Sequence, residues 1–212
     1  MPMGEFLCSV CGDAFSVPDE VLARYPNWTP KYCRAHSPKK TAAKAPVRRS
    51  ANPEDMTLDQ VLARCTGGPD NGMFTDGSAR PNPGPGGWGL VRVKDGQVVA
   101  QLNGTSPHTT NNRMELTALI EGLKLLDPAE QEVIYSDSDL CVNILTKWAA
   151  GWQARGWRRK TGEIENLDLV QEAYSLFKSR PKAALKWIKA HDGGRWNEYA
   201  NSLATAWARS EL

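Results

Sequence analysis

The chain has 212 residues, of which 41% are hydrophobic and 24% are charged, and its formal net charge at pH 7 is +2. A chain of this length can bury a sizeable core, and its composition is that of a globular protein. It has no run of 18 apolar residues and no signal-peptide layout at its start, which argues against a membrane span or export. We therefore expect a cytoplasmic protein whose cysteines are thiols or metal ligands rather than disulfides.

Four candidate zinc ligands lie near the start of the chain. Cys8 and Cys11 form a CxxC pair, and Cys33 and His36 form a CxxH pair after 21 intervening residues. Two close pairs can supply the four tetrahedral ligands of one structural Zn²⁺, which would stabilise a module too small to bury a large core. A redox CxxC motif or incidental thiols are the alternatives. We predict a small zinc-binding head at residues 1–37.

A basic, flexible linker is predicted at residues 38–56, before a catalytic body at residues 57–212. Residues 1–50 carry eight Lys or Arg and four acids, a net charge of +4, which leaves −2 for the rest of the chain. A basic N-terminal region, residues 1–50, on a slightly acidic body suggests contact with a polyanion, although a solvated linker would have the same composition.

Strand and helix patterns alternate along the body. Strands are predicted at residues 72–75, 88–93, 98–104, 132–136 and 184–190, and helices at residues 111–126, 139–150, 166–178 and 197–209. The sequence Lys94-Asp95-Gly96-Gln97 predicts a hairpin turn. Three strands followed by alternating helices and strands indicate an α/β fold with a mixed sheet covered by helices.

The stretch FTDGSARPNPGPGGWG, at residues 74–89, has an unusual composition. An apolar strand is expected to end at Asp76, and Gly, Pro, Ser and Asn follow it. One interpretation is a hairpin turn with a solvated aspartate. The other is a metal-binding carboxylate beside a loop that lets a polymer come close.

Three carboxylates stand at positions that the fold can bring together. Asp76 ends one strand, Glu115 lies one turn into a long helix, and Asp137 ends a later strand. Three like charges repel one another and are tolerated only around a cation, typically a hard one such as Mg²⁺. Each acid alone is more often a cap or a turn residue, so the prediction depends on all three.

Five segments resemble, in order and spacing, the motifs of type 1 ribonuclease H. They are FTDGSARPNPGPGGWG, TTNNRMELTALIEGL, VIYSDSDLCVNIL, WAAGWQARGW and WIKAHDGGRWNEYANSLA. Integrases and transposases share the fold but lack a Glu in an NNRxE context. The resemblance covers about residues 72–207 and implies a ribonuclease H-like fold, with five mixed strands flanked by helices. The head resembles the zinc-ribbon-like modules fused to some bacterial members.

The resemblance implies hydrolysis of the RNA strand of RNA–DNA hybrids, leaving 5′-phosphate and 3′-hydroxyl ends. It also implies two Mg²⁺ ions, replaceable by Mn²⁺, of which one activates the attacking water and the other stabilises the leaving oxygen. Asp76 would bridge both ions, Glu115 would hold one, and Asp137 would bind the other. His191 would assist proton transfer or product release, although a histidine that only closes a strand is the alternative. The family's fourth acid is replaced by Asn201, a metal ligand without charge that could slow the enzyme.

Contacts with the hybrid are also implied by the resemblance. The expected residues are Gly77, Ser78, Asn82, Thr110, Asn111, Asn112, Trp148, Trp152, Trp157, Arg158 and Asn166. Small residues after Asp76 would let the backbone and Asn82 reach the wide minor groove with its 2′-hydroxyls. Thr110 and Asn166 would bind a DNA phosphate. The tryptophans and neighbouring basic residues would grip DNA, although Trp148 and Trp152 could simply be core.

Two other functions fit the same sequence. Loss of the fourth acid could leave a protein that binds hybrids without cleaving them, and a same-fold enzyme could transfer phosphoryl groups on DNA. We expect an RNA–DNA hybrid as partner, no membrane, and a monomer.

Overall fold

The structure is a computed structural model that describes residues 3–24, 29–36 and 56–209. The chain divides into two compact units, Met1–Arg49 and Ser50–Leu212. The predicted linker lies outside the described residues except for Met56 at its end. Within the described ranges, no helix is long and apolar enough to cross a membrane.

The first unit is a hairpin followed by a short helix. Strand β1 (Met3–Leu7) pairs antiparallel with β2 (Ala14–Pro18), and α1 (Asp19–Arg24) follows. The turn between the strands is closed at Cys8, whose N–H donates to Asp13 O at 2.9 Å and whose carbonyl accepts from Gly12 N at 2.9 Å. A second turn, closed by the hydrogen bond from His36 N to Cys33 O, lies beside it. The two turns carry the predicted zinc ligands.

The second unit contains five strands and six helices among its described residues. The strands are β3 (Gly72–Ala79), β4 (Gly84–Lys94), β5 (Gln97–Thr109), β6 (Glu132–Ser136) and β7 (Ala183–Trp187). The helices are α2 (Leu58–Arg64), α3 (Asn111–Leu125), α4 (Asp139–Asn143), α5 (Ala149–Ala154), α6 (Leu167–Lys178) and α7 (Arg195–Ala204). A π-helical turn (Ile144–Trp148) joins α4 to α5.

The strands form one mixed sheet in the order β5-β4-β3-β6-β7. Strand β4 pairs antiparallel with β3 and β5, whereas β6 pairs parallel with β3 and β7. The structure therefore confirms the expected five-stranded mixed sheet with flanking helices.

The sheet separates two hydrophobic cores. Side chains of successive strand residues point to opposite faces, so Met73 and Phe74 of β3 enter different cores. Met73 packs with residues of α3, α4 and α6. Phe74 packs with Trp196, Tyr199 and Leu203 of α7 and with residues of α2.

The expected strand end at Asp76 is wrong. Strand β3 continues to Ala79, and Asp76 lies opposite Gly89 of β4. The Gly-Pro stretch is therefore divided between a short turn at residues 80–83 and the start of β4. The helix expected at residues 139–150 is interrupted by the π-helical turn, and the last strand ends at Trp187, three residues before the expected end at residue 190.

Candidate active site

The first two candidate metal ligands meet where α3 begins on the surface of β3. Thr110 caps α3, its hydroxyl accepting from Arg113 N at 3.3 Å, and Glu115 follows one turn later. Gly77 faces this turn, and a Cβ atom there would lie 2.8 Å from Glu115 Cα and still closer to Glu115 N. Only a glycine lets the helix come this near to the strand, so Gly77 places the Glu115 carboxylate beside Asp76.

The third carboxylate, Asp137, follows the last residue of β6. Its backbone carbonyl accepts a hydrogen bond from Trp187 Nε1 at 3.0 Å, and its Oδ2 accepts from Asn197 Nδ2 at 3.1 Å. The ligand oxygens of Asp76, Glu115 and Asp137 all lie within 4.8 Å of one another. These side chains line a cavity of about 310 Å³.

Burial and mutual repulsion raise the pKa values of two carboxyl groups in this site. Desolvation raises the pKa of Asp76 from 3.8 to about 7, and the charge of Asp137 adds to this effect. Desolvation also raises the pKa of Glu115 well above its usual value, together with the charges of Asp76 and Asp137. Glu115 Oε2 is buried, and no hydrogen-bond partner for it lies within the described ranges of the chain. The site therefore favours positive charge.

The wall opposite α3 is formed by α7 and the loop before it. Asn201 is 5% exposed and lines the cavity, and its Nδ2 has no hydrogen-bond partner among the described residues. His191 lies at the rim with 40% of its side chain exposed, and its Nδ1 is 3.5 Å from Glu198 Oε1. The structure thus brings all five predicted catalytic residues to one cavity or its rim.

Two residues of α7 near the site were missed by sequence reasoning. Asn197 positions Asp137, and the buried Glu198 faces His191. An acid that is 2% exposed and an asparagine that is 4% exposed are unusual on a helix face unless they serve a site. Both residues lie in α7, a few positions after His191 in the sequence. Their polar side chains could not be told from those of an ordinary exposed helix face until the fold showed that they are buried.

The asparagines predicted to contact the hybrid form a hydrogen-bonded link. Asn111 Oδ1 accepts from Ala79 N at 2.6 Å, and Asn111 N donates to Asn82 Oδ1 at 3.3 Å. This link ties the start of α3 to the end of β3 and to the turn that follows. Gly77 and Ser78 line the cavity beside the carboxylates. Gly77 is buried under α3, so its lack of a side chain serves helix packing.

A second cavity, of about 250 Å³, lies on the α3 side of the sheet. Its lining includes Asn112, Trp148, Trp152, Arg159 and Asn166. Asn166 has a left-handed backbone (φ 53°), and its Oδ1 accepts from Arg113 Nη1 at 3.3 Å.

The three tryptophans differ in burial. The rings of Trp148 and Trp152 lie 5.9 Å apart, and Trp148 is 41% exposed. Trp152 and Trp157 are partly buried against the core, with Trp157 edge-on to Tyr174, whereas Arg158 is exposed. Trp148 and Arg158 are therefore exposed at the surface, whereas Trp152 and Trp157 also pack against the core.

The predicted zinc ligands also come together within the first unit. One ligand atom each from Cys8, Cys11, Cys33 and His36 lies within 4.8 Å of the others. Backbone hydrogen bonds from Cys11 and Cys33 lower the pKa of the Cys8 thiol to about 5, whereas desolvation and the side chains of Cys8, Asp13 and Cys33 raise the pKa of the Cys11 thiol to about 11. One thiolate thus forms readily, and its charge opposes a second one unless a cation is bound.

Most of the second unit is similar in sequence to known proteins of one family. The RNase H family model matches residues 69–209. Ribonuclease H of Erythrobacter litoralis is 44% identical over 135 residues, which cover 63% of this chain and 92% of that protein. Ribonuclease H of Gluconobacter oxydans is 43% identical over 141 residues, 66% of this chain and 92% of that protein. The crystal structure of LC9-RNase H1, a type 1 RNase H with the type 2 active-site motif, shares 31% identity with a TM-score of 0.55, covering 69% of this chain and 76% of that one.

Proposed function

Because the chain belongs to the RNase H family and has ribonuclease H activity, we propose that it cleaves the RNA strand of RNA–DNA hybrids internally, leaving 5′-phosphate and 3′-hydroxyl ends. The observation that carries this proposal is the convergence of Asp76, Glu115 and Asp137, with ligand oxygens within 4.8 Å of one another in an open cavity. Such a cluster of buried acids suits phosphoryl chemistry on a polyanion only when cations are bound.

The residues of the site fit divalent cations. Two buried carboxyl groups with raised pKa values, and a Glu115 oxygen without a hydrogen-bond partner in the part of the chain that the structure describes, suit a site that binds positive charge. All-oxygen ligands favour Mg²⁺, with Mn²⁺ able to replace it. We assign two Mg²⁺ to Asp76, Glu115, Asp137 and the amide oxygen of Asn201. Bound there, the ions would supply an activated water and a stabilised leaving oxygen.

The protein's own residues orient this chemistry. Asn197 and Trp187 hold the Asp137 side chain and backbone in place. His191, at the exposed rim, can exchange a proton between the reacting groups and solvent, and Glu198 fixes the side of the imidazole that carries Nδ1.

Hybrid recognition would use both cavities. The linked Asn82 and Asn111, next to Gly77 and Ser78, lie beside the carboxylates and suit the RNA minor groove. The second cavity, with Asn112 and Asn166 amides and the Trp148 ring at its surface, suits a DNA phosphate and sugar. Thr110 contributes the N-terminus of α3, where the helix dipole favours an anion.

The head would hold one structural Zn²⁺. A tetrahedron of ligands around zinc has edges of about 3.8 Å for sulfur. In the structure Cys11 Sγ is 3.8 Å from Cys33 Sγ, and Cys8 Sγ is 3.7 Å from His36 Nδ1. We propose that this head, together with the basic residues that follow it, adds affinity for the hybrid and takes no part in cleavage.

The proposed function is tested by incubating end-labelled RNA–DNA hybrid, duplex DNA and single-stranded RNA with the protein and Mg²⁺. Internal cleavage of the hybrid's RNA strand alone is expected, with 3′-hydroxyl ends that a polymerase can extend. Retention of the hybrid without cleavage in Mg²⁺ or Mn²⁺ would indicate a binding protein, and cleavage of duplex DNA would indicate a different phosphoryl-transfer enzyme.

A further inference from the structure

Residues 56–68 form a segment that precedes the RNase H family match and packs on the helix that completes the active site. The segment begins with α2, whose N-terminus is closed by a capping box between Thr57 and Gln60. Its buried side chains, Met56, Val61 and Cys65, share one core with residues of α7. Val61 is fully buried. The segment is therefore an integral part of the α7 side of the sheet.

The end of this segment is hydrogen-bonded to the loop that carries His191. Gly67 N donates to Gly193 O at 3.2 Å, and Gly67 O accepts from Arg195 N at 2.8 Å, so Gly67 pairs with both sides of Gly194. Arg195 Nε donates to Cys65 O at 2.8 Å.

The start of the segment is bound to the other end of α7. Ser202 Oγ, one residue after Asn201, donates to Met56 O at 2.7 Å. The segment is thus bonded to α7 at Arg195 and Ser202, and to the preceding loop at Gly193, two residues after His191.

The hydrogen bonds of Gly67 add a backbone connection to a loop whose side chains also pair, Lys189 with Asp192 and His191 with Glu198. His191 and Gly193 both have positive φ angles, 49° and 72°, and residues 191–193 are exposed. A histidine at the rim of a cavity moves protons efficiently only when its ring is held in reach of the reacting atoms. We propose that residues 56–68 are a positioning segment for His191, fixing the far end of its loop against the sheet. This inference rests on the role proposed for His191.

The test uses full-length variants that loosen the segment without entering the metal site. Gly67→Pro removes the N–H that donates to Gly193 O. Gly67→Ala retains this N–H and should fit, because its Cβ would lie 3.4 Å from Gly193 O, an ordinary contact. Arg195→Leu removes the bond to Cys65 O and leaves every backbone bond in place, which covers the case that Gly67→Pro does not fold. Leu62→Ala, on the exposed side of α2, is a further control.

We expect Gly67→Pro and Arg195→Leu to lower kcat about tenfold with KM within about twofold, the size of a direct coupling between neighbouring groups. In a His191→Ala background neither change should lower kcat further. Equal losses in both backgrounds, or no loss at all, would overturn the inference. If His191→Ala itself leaves kcat unchanged, the role of His191 and this inference both fail, while the metal-site proposal is decided separately by Asp76→Asn.

An independent readout is the imidazole NMR spectrum, which is simple because the chain has three histidines. The His191 signals should shift and gain mobility in Gly67→Pro and stay unchanged in Gly67→Ala, with His36 and His108 as internal references. A His191 imidazole of unchanged mobility in Gly67→Pro and Arg195→Leu would rule out the positioning role.

Discussion

Gly77 and Glu115 lie in backbone contact across the junction of β3 and α3. A Cβ atom at Gly77 would be 2.8 Å from Glu115 Cα, a separation that packed Cβ atoms do not adopt. Gly77 faces α3 with no side chain between the two backbones, and the Glu115 carboxylate reaches that of Asp76. Because Gly77 has no side chain, α3 can approach β3 closely enough to place the Glu115 carboxylate beside Asp76.

The variant Gly77→Ala should separate the helix from the strand and displace Glu115. Overpacking of a close contact costs about 1–3 kcal/mol of stability, and we expect hybrid cleavage to fall by at least about a hundredfold because a shift near 1 Å is enough. Gly151→Ala is the matched control, since its Cβ would meet only the flexible end of Arg155. Chemical unfolding and cleavage rates check the prediction, and wild-type activity in Gly77→Ala would contradict the placement of Glu115.

Asp76→Asn should abolish cleavage while the protein stays folded. The charge of Asp137 acts on Asp76, and the charge of Asp76 acts in turn on Glu115, so Asp76 is coupled to both other carboxylates and its charge is central to cation binding. We expect a rate loss of at least about a thousandfold. Circular dichroism and the thermal midpoint provide the control for folding, and hybrid cleavage that survives this substitution would remove the proposed mechanism.

The stability of the Mg²⁺-free protein should fall between about pH 4 and pH 7. The folded protein raises the pKa of Asp76 from 3.8 to about 7, so it keeps a proton that the unfolded chain releases. A carboxyl with a raised folded-state pKa stabilises the fold at low pH and loses that contribution as the pH rises through this window. Thermal unfolding of the second unit at pH 5 and pH 8, with zinc retained, measures the effect.

Added Mg²⁺ should restore the lost stability at pH 8, because the cation replaces the protons. Asp76→Asn is the control that isolates the effect from other titrating groups, and its midpoint should change less between the two pH values. Equal pH dependence in the two proteins would show that Asp76 does not titrate as proposed.

Removal of residues 1–50 should weaken hybrid binding and spare turnover. With the net charge of +4 of residues 1–50 absent, we expect KM to rise about tenfold and the slope of log affinity against log salt to flatten by roughly one for each phosphate that these residues neutralise. The point variant Cys33→Ser should release zinc and reproduce part of the rise in KM, and Ser9→Ala, in the turn that carries Cys8 and Cys11, should not. An unchanged KM at low and high salt would make the head a protein-docking module.

Local signals were sufficient for several elements. Strand β6 is predicted residue for residue at Glu132–Ser136, because its apolar run is short and bounded by acids. Helix α3 begins as predicted after the Thr110 cap and ends one residue early, at Leu125. The hairpin turn lies between Lys94 and Gln97 because Asp95-Gly96 supplies two consecutive positive φ angles.

The glycine-rich start of β4 could not be predicted, because its structure depends on a distant helix. Glycine lowers strand propensity, yet a Cβ at Gly87 would lie 2.7 Å from Ala204 O, and one at Gly89 would lie 2.5 Å from Ala200 O. These contacts with α7 join parts of the chain more than 100 residues apart. Helix α2 was not predicted for the same reason, since its apolar face is short and is buried only by packing against α7.

Replacing Asn201 with Asp should increase cleavage at low Mg²⁺. The Asn201 amide is buried in the cavity wall and can turn its oxygen to a cation, but it brings a dipole where a carboxylate would bring a full charge. At about 4 Å and an effective dielectric constant near 20, a unit charge facing a divalent ion contributes about 8 kcal/mol before desolvation. Water and the substrate phosphate compensate for most of this, so we expect a few kcal/mol to remain in cation binding.

The expected result is a metal midpoint at least about tenfold lower for Asn201→Asp, which corresponds to about 1.4 kcal/mol, with hybrid affinity little changed. Asn197→Asp adds the same charge to α7 four residues earlier and serves as the control. It removes the Nδ2 donor to Asp137 Oδ2, so it should not increase cleavage at low Mg²⁺. Hybrid cleavage is measured against Mg²⁺ and Mn²⁺ concentration for all three proteins. If Asn201→Asp shifts neither the midpoint nor the rate, Asn201 is not a metal ligand, and the cations are held by the three carboxylates alone.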